Sequence, residues 1–258
     1  MHVISDQLLD DHVRERAFTL DGIPGFLWTP ASARATAPVP LILLGHPTLG
    51  LPRMYPRLAE RARHCAAQGF ATATIELPGC GNRPSRPDMD RTRAELRRTL
   101  QAGRPVTDDL VDRLVLPLIE QAVPECRAAL DTLLALDEID GPVGCSGGII
   151  SLGIRLATTD PRIKAVGLFA GSYIPHAIVE EARRLTLPAH VLLQWDDQGN
   201  DRQAALDLFD ALGSQEKTLE ANMGGHTGVP AHAGDCAARF FTRHLTRTPT
   251  RTSAAATG

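Results

Sequence analysis

Apolar residues fall in short blocks along the chain, and their spacing switches between two and about 3.6 residues, the pattern of strands alternating with helices. Val13 to Leu20 and Ile23 to Trp28 read as strands joined by Asp21-Gly22, a strong hairpin signal. Leu41-Ile42-Leu43-Leu44 is a continuous apolar run, which suits a central strand covered on both faces. Tyr55, Leu58, Ala59, Ala62 and Ala66 keep helical spacing up to a C-cap at Gly69, and Phe70 to Leu77 makes the next strand. Further on, a helix spans Cys126 to Leu136, a strand enters through Gly141-Pro142-Val143, and a helical run covers Ile149 to Ala157. Strands follow at Ile163 to Phe169, His190 to Trp195 and Lys217 to Ala221. Between the last two lies a helix with Ala205, Leu208, Phe209 and Leu212 on one face; a final helix carries Phe240, Phe241 and Leu245.

This alternation predicts an α/β fold: a mostly parallel central sheet with an antiparallel N-terminal hairpin and helices on both faces. The 258 residues suit a single such domain over 1–245. Residues 1–12 are polar and read as a loose or short helical arm, 29–40 as a surface loop, and the Thr/Ala-rich stretch 246–258 as a disordered tail. Gly81 to Val123 separates the fourth strand from its helix by far more than the usual two to six residues. It is an insertion. Its first half is crowded with arginine, which reads as a solvated face, and Val111, Leu114, Val115 and Leu118 have helical spacing before Pro124. A helical lid or shoulder beside the site is expected there.

A formal net charge of -3 gives no reason to expect nucleic acid or an anionic membrane as partner, so a small neutral molecule is the expected substrate. No apolar run approaches the roughly 20 residues of a membrane helix, and Met1 to Asp6 lacks the features of a signal peptide; a cytoplasmic location follows as an expectation. The five cysteines show no paired C-x-x-C spacing and read as free thiols. The histidines show no metal-ligand spacing, so neither metal nor cofactor is expected.

The candidate chemistry centres on Gly144-Cys145-Ser146-Gly147-Gly148, a Gly-x-Ser-x-Gly pattern between a strand and a helix. A nucleophilic serine on a tight strand-to-helix turn needs small neighbours, and the following helix N-terminus points free N–H groups at a developing anion. A serine also needs a base, and the base a carboxylate. In the chain order serine, acid, histidine, the strand ending at Trp195 is followed by Asp196-Asp197, and the last strand by Met223-Gly224-Gly225-His226. His226 is the candidate base and Asp197 the candidate acid, with Asp196 and Asp201 as alternatives. The oxyanion donors would be the N–H of Gly147 and one from Gly45-His46-Pro47-Thr48-Leu49-Gly50. Pro47 has no N–H, which leaves Thr48, preferred, or Leu49. Cys145 reads as a packed small residue and His46 as structural, while Glu76 and Cys80 end the fourth strand where a substrate could lie.

Together these segments resemble an α/β-hydrolase of the esterase and dienelactone-hydrolase-like group, over roughly residues 13–245. The resemblance implies a serine hydrolase that cleaves a carboxylic ester, lactone or thioester through an acyl-enzyme. The same triad would also serve an acyltransferase, or an eliminase or cyclase. The oligomeric state is left open.

Overall fold

The computed structural model describes residues 1–171 and 173–246. The chain opens with three antiparallel strands, β1 (His2–Leu9), β2 (Val13–Leu20) and β3 (Ile23–Pro30). Between β2 and β3, Asp21 (φ 48°) and Gly22 (φ 80°) are both left-handed, as the two-residue hairpin turn requires. β1 corrects the expectation of a loose or helical arm. Asp10 and Asp11 are also left-handed, at φ 53° and 56°, and fold residues 2–9 back along β2. The pairing is polar: Arg14 donates to both Asp6 oxygens at 2.7 and 2.6 Å, and Gln7 donates to Glu15 at 2.9 Å. An edge strand whose side chains are almost all exposed carries no apolar alternation from which to read it.

The rest alternates: β4 (Val39–Gly45), α1 (Leu51–Ala67), β5 (Ala71–Ile75), α2 (Pro87–Gln101), α3 (Asp108–Leu133), β6 (Ile139–Gly147) and α4 (Ile150–Thr159). Then come β7 (Ile163–Phe169), α5 (His176–Ala182), β8 (Ala189–Gln194), α6 (Arg202–Ala211), β9 (Lys217–Asn222) and α7 (Ala231–Leu245). α1 starts before its apolar spacing becomes regular, because the buried carboxylate of Glu76 accepts the Leu51 N–H at 2.8 Å and caps its first turn. α3 runs straight through Pro117 and Pro124, so the expected break between the insertion and the next helix is absent. A proline in a helix costs about 3 kcal/mol, but the buried stripe from Leu110 to Leu133 contributes about 1.5–3 kcal/mol for each large side chain and outweighs it. Among the described residues no helix is long and apolar enough to cross a membrane. Apart from Thr246, the expected disordered tail lies outside the described residues.

The sheet order is β1-β2-β3-β5-β4-β6-β7-β8-β9, antiparallel up to the β3–β5 pair and parallel from there on. The continuous apolar run of β4 serves two layers. Leu41 and Leu43 face the core shared with α3, α4, α5 and α6, whereas Ile42 and Leu44 face the core shared with α1 and α7. The chain leaves β4 for β5 on one side and returns to β6 on the other. That reversal opens a crevice beyond the C-terminal ends of β4 and β6, where ligands bind in open α/β sheets.

Candidate active site

Ser146 lies at this crevice. It is paired with Leu44 on β4 and Gly167 on β7, and so still belongs to the strand. The left-handed turn comes immediately after it, at Gly147 (φ 73°) and Gly148 (φ 77°), so the strain expected at the serine is carried by glycines instead. Both are required by space as well. A Cβ on Gly148 would stand 2.6 Å from the Gly45 and His46 backbone, and one on Gly147 would stand 3.1 Å from the Arg61 guanidinium. Cys145 points to the opposite face, into the α3–α4 core, and burial pushes its thiol pKa up to about 11.

The three aspartates after β8 have separate tasks. Asp197 is buried, and its Oδ2 accepts from His226 Nδ1 at 2.7 Å and Asn200 Nδ2 at 2.6 Å, while Oδ1 accepts from Gly199 N–H at 2.9 Å. Burial raises its pKa, but these bonds, the one from His226 foremost, outweigh burial and hold the carboxyl below its usual range. Asp196 holds the histidine loop: Oδ1 accepts the N–H groups of Gly224 (2.9 Å) and Gly225 (2.8 Å), which lower its pKa. Asp201 caps α6 by accepting from the Gln203 and Ala204 N–H groups. Gln194 adds a 2.8 Å bond to the Gly225 carbonyl, and the Phe169 ring meets His226 edge-on at 5.6 Å.

Ser146 and His226 border one cavity of about 770 Å³, whose wall is largely apolar, with Met54, Leu58, Phe70, Phe169, Leu192 and Phe241. Among the described residues no hydrogen bond joins the two. Ser146 Oγ instead accepts from Arg61 Nη2 at 3.0 Å; the same nitrogen donates to the Ser146 carbonyl at 2.9 Å, and Nη1 to the Gly45 carbonyl at 3.2 Å. The sequence reading missed Arg61. The signal was present, because Met54, Leu58, Arg61 and Cys65 fall at helical spacing and put a cation on the apolar stripe of α1.

The loop after β4 is where a second oxyanion donor is expected. Pro47 stands on the cavity wall, while Thr48 does not. The Leu49 N–H is spent on the Pro47 carbonyl at 2.7 Å. Glu76 and Cys80 are buried away from the cavity, and none of residues 81–123 lines it, so α2 and the start of α3 form a shoulder packed on each other rather than a lid over Ser146. The ring nitrogens of His46 face the Pro47 and Ile75 carbonyls at 2.9 and 3.0 Å, a structural placement.

No protein-family model and no curated protein matches the chain. Among solved structures it is similar to a PEG-bound cold-adapted esterase from an Arctic intertidal metagenomic library, at 28% identity and a TM-score of 0.71, covering 94% of this chain and 98% of that one. It is similar in fold to the acetyl xylan esterase of Paenibacillus sp. R4 (17% identity, TM-score 0.66, 95% of this chain and 88% of that one). A third is Est1E of Butyrivibrio proteoclasticus with ferulic acid bound (12% identity, TM-score 0.63, 88% of this chain and 98% of that one).

Proposed function

We propose that this chain, an α/β-hydrolase by fold, hydrolyses the carboxylic ester of a small molecule with Ser146 as nucleophile, His226 as base and Asp197 as the acid that orients it. The observation that carries the reading is the 2.7 Å bond from His226 Nδ1 to the buried Asp197 carboxylate, on the rim of the cavity that Ser146 borders. Holding Nδ1–H in that bond leaves Nε2 unprotonated and free to accept a proton. Ser146 Oγ attacks the ester carbonyl carbon as its proton passes to His226 Nε2, and the carbonyl π electrons move to oxygen. The tetrahedral anion collapses and expels the alkoxide, which takes the proton from His226. Water, deprotonated by the same nitrogen, then releases the acid and restores the serine.

A cavity of about 770 Å³ falls in the range of small-molecule sites, and its apolar wall favours an acyl group of aliphatic or aromatic character over a sugar or a polyanion. The similarity to the Arctic cold-adapted esterase supports the ester as substrate. The test is hydrolysis of p-nitrophenyl esters of increasing chain length by the parent and by Ser146→Ala. Turnover should rise from acetate towards longer acyl groups and vanish in the variant; a Ser146→Ala protein that still hydrolyses them rejects the assignment.

A further inference from the structure

A serine esterase ordinarily offers two donors to the tetrahedral oxyanion, and this chain's loop after β4 is poorly equipped to supply one of them. Pro47, the loop residue on the cavity wall, has no N–H, Thr48 is off the wall, and the Leu49 N–H is already bonded to the Pro47 carbonyl. The guanidinium of Arg61 is the side-chain donor that reaches the candidate nucleophile. Its Nη2 is 3.0 Å from Ser146 Oγ, and it rests against Gly147, where the lack of a side chain leaves it room. Among the described residues no carboxylate pairs with Arg61, so its charge is neutralised by no neighbour and faces the reacting atom.

We propose that Arg61 is a catalytic residue: its Nη2–H holds Ser146 Oγ before attack and then, together with the Gly147 N–H, binds the oxyanion formed when Oγ adds to the carbonyl carbon. This rests on the reading of Ser146 as nucleophile. A hydroxyl accepts through its lone pairs and donates through its hydrogen, so the Arg61 bond leaves the Ser146 proton free to go to His226. On attack that proton moves to His226 Nε2 and the new C–O bond forms at Oγ. The negative charge appears two bonds from Oγ, on the former carbonyl oxygen, close to the nitrogen that already contacts Oγ at 3.0 Å. Because the interaction strengthens as charge develops, its loss falls on kcat rather than on KM.

The experiment compares the parent, Arg61→Ala, Arg61→Lys and Ser146→Ala on two esters, neutral p-nitrophenyl butyrate and the carboxylate-bearing p-nitrophenyl hemisuccinate. It also measures inhibition by phenylboronic acid, whose serine adduct is a tetrahedral anion. For Arg61→Ala we expect kcat on both esters to fall by about a hundred- to a thousandfold with KM little changed. Boronate affinity should weaken in parallel, and added guanidinium should restore part of kcat. If Arg61→Ala does not fold, Arg61→Lys is decisive, since a lysine has one nitrogen where Arg61 uses two, Nη1 on the Gly45 carbonyl and Nη2 on Ser146, and should lose at least tenfold in kcat. Parent-like kcat and boronate affinity in the folded variant overturn the proposal. A loss confined to KM for the hemisuccinate also overturns it, by making Arg61 a recognition site for substrate carboxylates. A dead Ser146→Ala beside a parent-like Arg61 variant rejects only the role of Arg61, whereas an active Ser146→Ala rejects the nucleophile and the proposal with it.

Discussion

Replacing Asp197 by asparagine separates the two adjacent carboxylates. Asp197 accepts three hydrogen bonds, two on Oδ2 from His226 and Asn200 and one on Oδ1 from Gly199. An amide of the same shape has one accepting oxygen, so its NH2 must face one side. Turned towards Gly199, it sets two donors against each other. Turned towards His226, it pushes the proton from Nδ1 to Nε2 and leaves the ring unable to take the serine proton. The second outcome, the wrong tautomer in intact geometry, lowers kcat by about 10⁴-fold, or about 5.4 kcal/mol at 1.36 kcal/mol per factor of ten. Asp196→Asn keeps an accepting oxygen for the Gly224 and Gly225 N–H groups and should cost much less. The assay is kcat/KM for p-nitrophenyl butyrate with each variant, with thermal melts to show that both are folded. An Asp197→Asn enzyme within tenfold of the parent, or an Asp196→Asn enzyme that loses more, refutes the division of labour.

Three other outcomes are expected. Cys145→Ser should keep parent kcat/KM within a few-fold, and iodoacetamide at neutral pH should leave activity intact, because the thiol is buried and its pKa is pushed up to about 11. Gly148→Ala puts a Cβ 2.6 Å from the Gly45 and His46 backbone at φ 77°, and should lower stability by about 2–4 kcal/mol in urea unfolding and abolish ester hydrolysis. The buried Asp160 carboxyl is held below its usual pKa, first by the hydrogen bond from Arg162, so its contribution is fully present above the unfolded value near 3.9 and is lost as pH falls through the lower folded value. Urea midpoints should therefore drop on going from about pH 7 to about pH 3, and drop less in Asp160→Asn.

The repeating part of the fold was legible in the sequence because burial imposes period. The two-sided run of β4, the one-sided stripe of α1 and the hairpin at Asp21-Gly22 were all readable. β1 was not, because its side chains face solvent and its turn is made by two left-handed aspartates in place of Asn-Gly or Asp-Gly. The continuity of α3 was hidden by Pro124, whose local rule is overridden by long-range packing. In the candidate site, chain order singled out Ser146, His226 and the aspartates as candidates. Which aspartate meets the ring depends on how the backbone turns after β8, and so emerges only in three dimensions. Arg61, far from the motif in sequence, reaches it because its long side chain extends from α1 to the Gly45 and Ser146 carbonyls at the ends of β4 and β6.

The central claim is that Ser146 becomes acylated. Mixing the enzyme with excess p-nitrophenyl acetate should give a burst of p-nitrophenol approaching one equivalent per chain. Mass spectrometry of the acid-quenched protein should find the acetyl group on the peptide containing Gly144 to Gly148, at Ser146, and neither burst nor adduct in Ser146→Ala. Steady hydrolysis with no acyl adduct, or an adduct on Cys145, would contradict the account.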